Sequence, residues 1–372
     1  MTIDVRVLGQ RIADARLRAG LTQAQLAAEV SLDRSALAKI EIGDRRVTAL
    51  ELSRISAAVD ERLEWFFQEV PQAIASHRNL LDPGGASPAI DRAVERRVRE
   101  VEFVASAGSG LDLPVLESRE MPANAEAAEE LAAEARALLD VPADGPLHML
   151  ERYVSKAGIL PFVVDLGPDS ADAASILLER GAVVVVNGSL KVGRRRLSLA
   201  HELGHVLVAD EYSVDWRVAS EDSVARREGR IDRFARALLL PAKDLHARWP
   251  REAEGSDGEL RTAAVRLGSE YRVDMATLAR RLQELDLVGP SDAAAVRAVR
   301  TVRADIEELN LVVADELPVD HMAREYIAAV LRLYRSELIS QARTLELLFG
   351  AWTVADLPIL PMRSAEEIWQ YV

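Results

Sequence analysis

The sequence predicts an α+β protein that is mostly helical. It has an all-α unit at the N-terminus, a central unit with a small sheet, and a helical C-terminal segment. Three observations predict this. Apolar residues recur at helical spacing through most of the 372 residues. Two valine-rich runs near the middle, 157–164 and 181–187, break that period and have strand character. A helical pentapeptide, His201-Glu202-Leu203-Gly204-His205, follows the second run and is continued by further helical patterns.

Composition bounds the function classes. The chain is 28% charged with a formal net charge of -14, which argues against broad non-specific nucleic-acid binding but leaves room for a local basic patch. It has no cysteine, so disulfide and thiolate chemistry are excluded and a reducing compartment suits it. No charged-then-apolar leader opens the sequence and no run reaches the ~18 apolar residues of a membrane span. A cytoplasmic protein with no membrane partner is expected.

Residues 1–70 read as the first unit. Val5 to Ala19 is a helical pattern stopped by Gly20, and Thr22 is placed to cap a short helix from Gln23 to Val30. A third helix runs from Arg34 to Glu41 and stops at Gly43; Thr48 to Val59 and Leu63 to Val70 are amphipathic stretches. Short helices joined by turns of three or four residues are a helix-turn-helix arrangement, with Arg34 to Glu41 as the recognition helix. The residues Leu21-Thr22-Gln23, Leu26-Ala27, Ser35, Lys39-Ile40-Glu41 and Gly43 resemble the XRE-type phage-repressor DNA-binding domain. That resemblance implies a double-stranded DNA operator as partner, with Gln23, Arg34, Ser35 and Lys39 at the positions that touch DNA. Arg34 and Ser35 open the recognition helix and are the candidates for base edges; Gln23, Arg45 and Arg46 suit phosphates. Against this, the unit has 10 Lys+Arg and 11 Asp+Glu. A helical bundle used for dimerisation or protein contact is therefore the alternative, and a homodimer stays open.

Residues 71–145 read as a connector. It is broken at Pro71, at Asp82-Pro83-Gly84-Gly85 and at the small-residue stretch 105–110. Ile90 to Val104 reads as a charge-mixed surface helix, with accessory DNA contact as a minor alternative. Asn124 is placed to cap an alanine-rich helix from Ala125 to Leu139.

Residues 146–288 carry the chemistry. The two valine-rich strands end in turn residues, and Arg194-Arg195-Arg196 leads into the pentapeptide helix. His201 and His205, four apart, stack on one helix face, so both rings can reach one metal ion. Glu202 beside them can take the proton of a metal-activated water, the task of a general base in peptide hydrolysis. The alternative is an ordinary amphipathic helix with two histidines, although the chain has only six. A third ligand is needed, and Asp210, Glu211, Asp215, Glu221, Asp222 and Glu228 compete for the role. Glu228 with Asp232, on a helix from Arg226 to Leu240, resembles the third-ligand helix of zinc peptidases. There the glutamate binds zinc and the aspartate orients a metal-bound histidine.

Taken together, Arg196, Leu199-Ala200-His201-Glu202-Leu203-Gly204-His205, Glu228, Ile231-Asp232, Phe234-Ala235, Leu238-Leu239 and Pro241 are similar to the ImmA/IrrE metallopeptidase family. The likeness continues through Tyr271-Arg272-Val273-Asp274 and Arg280-Arg281-Leu282. It departs at Ile231-Asp232, where alanine-asparagine is usual, and aspartate there still accepts a histidine N–H. The resemblance implies a zincin-like fold, a zinc cofactor and cleavage of a repressor-type protein. Tyr212 and His246 are candidates for stabilising the oxyanion.

Residues 289–372 read as a helical segment ending in an apolar and aromatic tail with Trp369 and Tyr371. It is expected to bind a protein partner, with folding back onto the core as the alternative. By analogy, repressor–peptidase fusions of this layout often act as antitoxins, and a cognate toxin would be held here. The expected function is a DNA-binding transcriptional regulator with a zinc endopeptidase domain. The rivals are an antitoxin and autorepressor that uses the peptidase fold as a scaffold, and a transcription factor with a vestigial site.

Overall fold

A computed structural model describes residues 4–59, 61, 63–67, 75–78, 88–209, 221–254, 260–311 and 315–360. The chain divides into two compact units, one made of residues 1–73 and 86–92, the other of 74–85 and 93–372.

The first unit is helical. Asp4 accepts the Arg6 N–H and starts α1 (Val5–Arg18). Reciprocal capping boxes start α2 (Gln23–Glu29) at Thr22 and Gln25, and α4 (Ala49–Ala58) at Thr48 and Glu51. Between them lies α3 (Arg34–Glu41), and a single 3-10 turn, Leu63–Phe66, follows α4. The expected helix from Leu63 to Val70 is thus this turn, with 68–70 outside the described residues. Ile12, Leu26, Leu37, Ile40, Ile55 and Phe66 are fully buried and make the core. At Gly9 a Cβ would stand 2.3 Å from the Ile40 carbonyl oxygen, so glycine is what lets α1 and α3 touch backbone to backbone. The buried Arg16–Glu41 ion pair, at 2.6 Å, locks the same two helices.

The second unit is built on a four-stranded sheet of order β1-β3-β4-β2. The strands are β1 (Ala75–Arg78), β2 (Ile159–Val164), β3 (Ala173–Leu177) and β4 (Ala182–Asn187). β2 and β4 are parallel, whereas β3 runs antiparallel to both β4 and β1. β2 and β4 were legible as valine runs. β3 was not: Ala173-Ala174-Ser175 is poor strand material, and the ladder to β4 rather than intrinsic propensity makes it a strand.

The helices of this unit are α5 (Pro88–Ser106, from Ala93 onward), α6 (Ala125–Leu138), α7 (Leu150–Lys156), α8 (Val192–Leu207), α9 (Glu221–Leu239), α10 (Ala242–Glu254), α11 (Leu260–Glu270), α12 (Met275–Glu284), α13 (Pro290–Ala298), α14 (Arg303–Glu308), α15 (Arg324–Arg335) and α16 (Gln341–Leu347). Helix α8 packs on the sheet, α9 packs on α8, and α6 packs on α9. The Asn124 side-chain Oδ1 accepts the Ala127 N–H and caps α6 as expected. α6 nevertheless shares the central core through Ala128, Leu131 and Ala135. The charge-mixed helix, α5, is a correction: Val94, Val98, Val101 and Val104 are buried, an apolar stripe that the charges on its other faces mask in the sequence.

Residues beyond 289 are also built into this unit. Ala293, Val296 and Leu317 join the central core. Met322 bridges Phe162 of β2, and Tyr326 donates to the Leu347 carbonyl at 2.9 Å. The folded-back alternative therefore describes 289–360, while Trp369 and Tyr371 lie outside the described residues.

Candidate metal centre

The turn into α8 is set by Asn187. Its side chain accepts from Leu166 and Ser189 N–H and donates to the Gly167 and Ala171 carbonyls, which satisfies the buried amide completely. Arg194 clamps Asp172 with two bonds of 2.7 and 2.9 Å, fixing the first turn of α8 to the segment before β3. The three arginines lie inside α8 rather than ahead of it. Arg196 is fully buried between Glu316 and the Leu147 carbonyl, and Arg195 pairs with Asp315 at 2.7 Å.

His201 and His205 are both buried, on a helix that is buried on all sides from Arg195 to Leu207. Helix α9 crosses closely because position 204 is glycine. A Cβ there would meet Phe234 at 2.8 Å and Ile231 at 3.0 Å. The approach brings Glu228 and Asp232, one turn apart on α9, to the histidines. The expected start of this helix at Arg226 moves back to Glu221.

His201 Nδ1 lies 2.9 Å from Asp232 Oδ1, a hydrogen bond in which the imidazole N–H donates. That bond assigns the tautomer and leaves the lone pair on His201 Nε2. Three atoms then form a triangle. The two Nε2 atoms are 3.0 Å apart, and Glu228 Oε2 lies 3.3 Å from that of His201 and 3.6 Å from that of His205. Two imidazoles and a carboxylate are a borderline-soft N2O set suited to zinc. Zinc bonds of about 2.0–2.1 Å in tetrahedral array would separate ligand atoms by about 3.3 Å, the mean spacing found. The residues present therefore fit the ion, and these three form a group able to hold a metal. Burial pushes the Glu228 carboxyl upward, but its contacts with the His201 and His205 imidazoles outweigh it. The net displacement is well below the usual carboxylate range, so Glu228 is an anion at neutral pH.

Glu202 is completely buried. Its Oε2 accepts from the Ser175 hydroxyl on β3 at 2.6 Å, while Oε1 has no hydrogen-bond partner among the described residues. An unsatisfied buried carboxylate oxygen costs about 1–3 kcal/mol or more, so its presence calls for a functional reason. Ser175 escaped the sequence reading because its role depends on strand register. The run Ile176-Leu177-Leu178 before Gly181 was the only local signal.

The remaining site residues are placed as follows. His246 is exposed on α10 and outside the metal-capable group. Tyr212, Asp210, Glu211 and Asp215 lie outside the described residues, and the side chains of Glu221 and Asp222 are likewise undescribed. In the first unit Arg34, Ser35, Lys39 and Arg46 are exposed. Gln23 donates to Glu41 at 2.7 Å and Arg45 pairs with Glu51 at 2.6 Å, so both are engaged within the unit.

A helix-turn-helix bundle and a zincin-type centre thus define a DNA-binding fold joined to a metallopeptidase fold. The comparisons agree. The model of the peptidase M78 family, described as the IrrE N-terminal-like domain, matches residues 154–283, and the helix-turn-helix model matches residues 12–66. The chain is a fusion of these two domains. No curated protein matches it.

Proposed function

We propose that the chain is a cytoplasmic transcriptional regulator that binds a double-stranded DNA operator and cleaves a repressor-type protein with a zinc-dependent endopeptidase centre. In this reading 1–70 binds DNA and 146–288 is the peptidase, with parts of 71–145 and of 289–360 packed into its core. The observation that carries it is the Glu202 carboxylate. One of its oxygens is tied to Ser175 and the other has no hydrogen-bond partner among the described residues, on the same helix turn as the histidine pair.

His201, His205 and Glu228 would hold zinc, with Asp232 orienting His201. Bound there, the ion supplies Lewis acidity to a scissile carbonyl and to water. Glu202 Oε1 is the atom that receives a proton from the attacking water and passes it to the leaving amine. Ser175 keeps the carboxylate from rotating during both transfers. At the operator, Arg34 and Ser35 reach base edges, whereas Lys39 and Arg46, with Gln23 and Arg45 once released, meet phosphates.

An antitoxin that uses the same fold only as a scaffold would require neither the metal triangle nor an oriented base, and the retention of both favours cleavage. The experiment is metal analysis with a substrate trap. Purified chain should carry about one zinc, and a His201→Ala, His205→Ala double variant should carry none. Glu202→Gln should keep the zinc and co-purify with an uncut protein that the wild type cleaves. Undiminished zinc in the double variant would remove the ligand assignment. Equal cleavage by wild type and Glu202→Gln would remove the base.

A further inference from the structure

The sheet of the second unit ends in β1, a strand that belongs to the stretch between the helix-turn-helix residues and the rest of the chain. It pairs antiparallel with β3 in the register Ala75↔Ile176, Ser76↔Ser175, His77↔Ala174 and Arg78↔Ala173. The residue opposite Ser76 is therefore the serine whose hydroxyl holds Glu202. Helix α8, which carries the histidines, packs against both β3 and β1. β4 occupies the other side of β3 along its whole length. Without β1, the free side of β3 would offer a row of N–H and C=O groups next to the catalytic carboxylate. Such a row is a template for an extended polypeptide, because main-chain bonds to a sheet edge bind without regard to side-chain identity.

We propose that β1 is a tethered blocking strand. It occupies the β3 edge on which an extended polypeptide docks, so a substrate reaches Glu202 only by displacing residues 75–78. The proposal rests on the endopeptidase reading above and adds its regulation. A four-pair strand is short by the standard of ordinary strands of ~5–6 residues, so it can open locally without unfolding the unit. A strand tethered in the same chain competes at an effective concentration of order millimolar, enough to exclude weak extended peptides while yielding to a tight one.

The test uses the full chain without added metal and a fluorescein-labelled synthetic peptide spanning residues 72–81 as probe. The variant is Ser76→Pro with His77→Pro. Successive strand amides point to opposite sides, so one of the two prolines always removes an N–H that faces β3. Amide hydrogen exchange across 173–177 should accelerate at least tenfold in the variant, and the peptide should bind it at least tenfold more tightly than wild type. A second variant with 74–79 replaced by a glycine–serine stretch of equal length should behave alike. Unchanged exchange and unchanged affinity in both variants would overturn the proposal. A cut within 74–79 on zinc loading, seen by intact mass in wild type and absent from Glu202→Gln, would also overturn it by making the strand a substrate. Exchange and peptide binding need neither zinc nor turnover, so an inactive peptidase leaves the result standing, and failure here leaves the endopeptidase reading untouched.

Discussion

Asp232 determines which nitrogen of His201 faces the metal triangle, because its carboxylate takes the Nδ1–H at 2.9 Å. Asp232→Ala should therefore lower zinc affinity about 10–100-fold. Asp232→Asn should lose far less, since the amide oxygen still accepts that N–H. Competition against a chromogenic chelator reads both, and equal affinity in Asp232→Ala and wild type would contradict the role. Gly204→Ala asks a different question. Its methyl would press on Phe234 and Ile231, forcing α9 and with it Glu228 away. Overpacking of this kind costs about 1–3 kcal/mol, and the expected readout is a lower melting temperature together with lost zinc. Lost stability with full zinc retention would show that α9 yields without moving its carboxylates. The histidines and Glu202 were legible in the sequence because four-residue spacing is a property of one helix. Glu228 was legible only through its pairing with Asp232. Ser175 reaches Glu202 across a helix–sheet contact, which no local pattern encodes.

Among the elements, α3 carries the clearest expectation. Arg34 and Ser35 are exposed at its first turn, where helix-turn-helix proteins present side chains to the major groove. Arg34→Ala should cost about 1–3 kcal/mol at one operator position and relax the base preference there. A binding selection on randomised duplexes with full-length protein measures this, and an unchanged preference at every position would exclude direct readout by Arg34. The boundaries of α1 to α4 were readable to within a residue or two because a cap such as Thr22 and a stop such as Gly43 are local chemistry, whereas the stretch expected from Leu63 forms only a short 3-10 turn. The strands divide more sharply. β2 and β4, buried along nearly their whole length, announce themselves as continuous apolar runs. β1 and β3 do not, since their existence depends on a neighbour already in place.

For the whole second unit, Glu316 is the carboxylate on which stability at low pH should turn. It is buried and accepts from both Arg196 of α8 and Arg272. Burial pushes its carboxyl upward, but the Arg196 charge, the Met149 backbone bond and Arg272 outweigh that. Its folded value thus lies below the ordinary 4.5. A depressed folded value means the contribution is full above about pH 4.5 and is lost as pH falls through the folded value. Glu316→Gln should accordingly cost about 3–5 kcal/mol at neutral pH, and the gap in melting temperature from wild type should narrow as pH drops below 4.5. A gap of constant size down to pH 3 would rule out ionisation as its source. None of this was legible beforehand. An arginine next to a histidine motif and a glutamate 120 positions later carry no mark of being partners.

The Arg196–Glu316 pair also decides where the peptidase-like domain can be cut. The family match closes at residue 283, yet the counter-ion of a fully buried arginine on the histidine-bearing helix lies 33 residues beyond it. A fragment trimmed to 154–283 would strand that cation in an apolar interior, a defect worth several kcal/mol against a domain stability of only about 5–15. Shortened versions of this chain that lack 315–316 would therefore be recovered as aggregates, and silence in their assays would report a missing carboxylate rather than a missing activity.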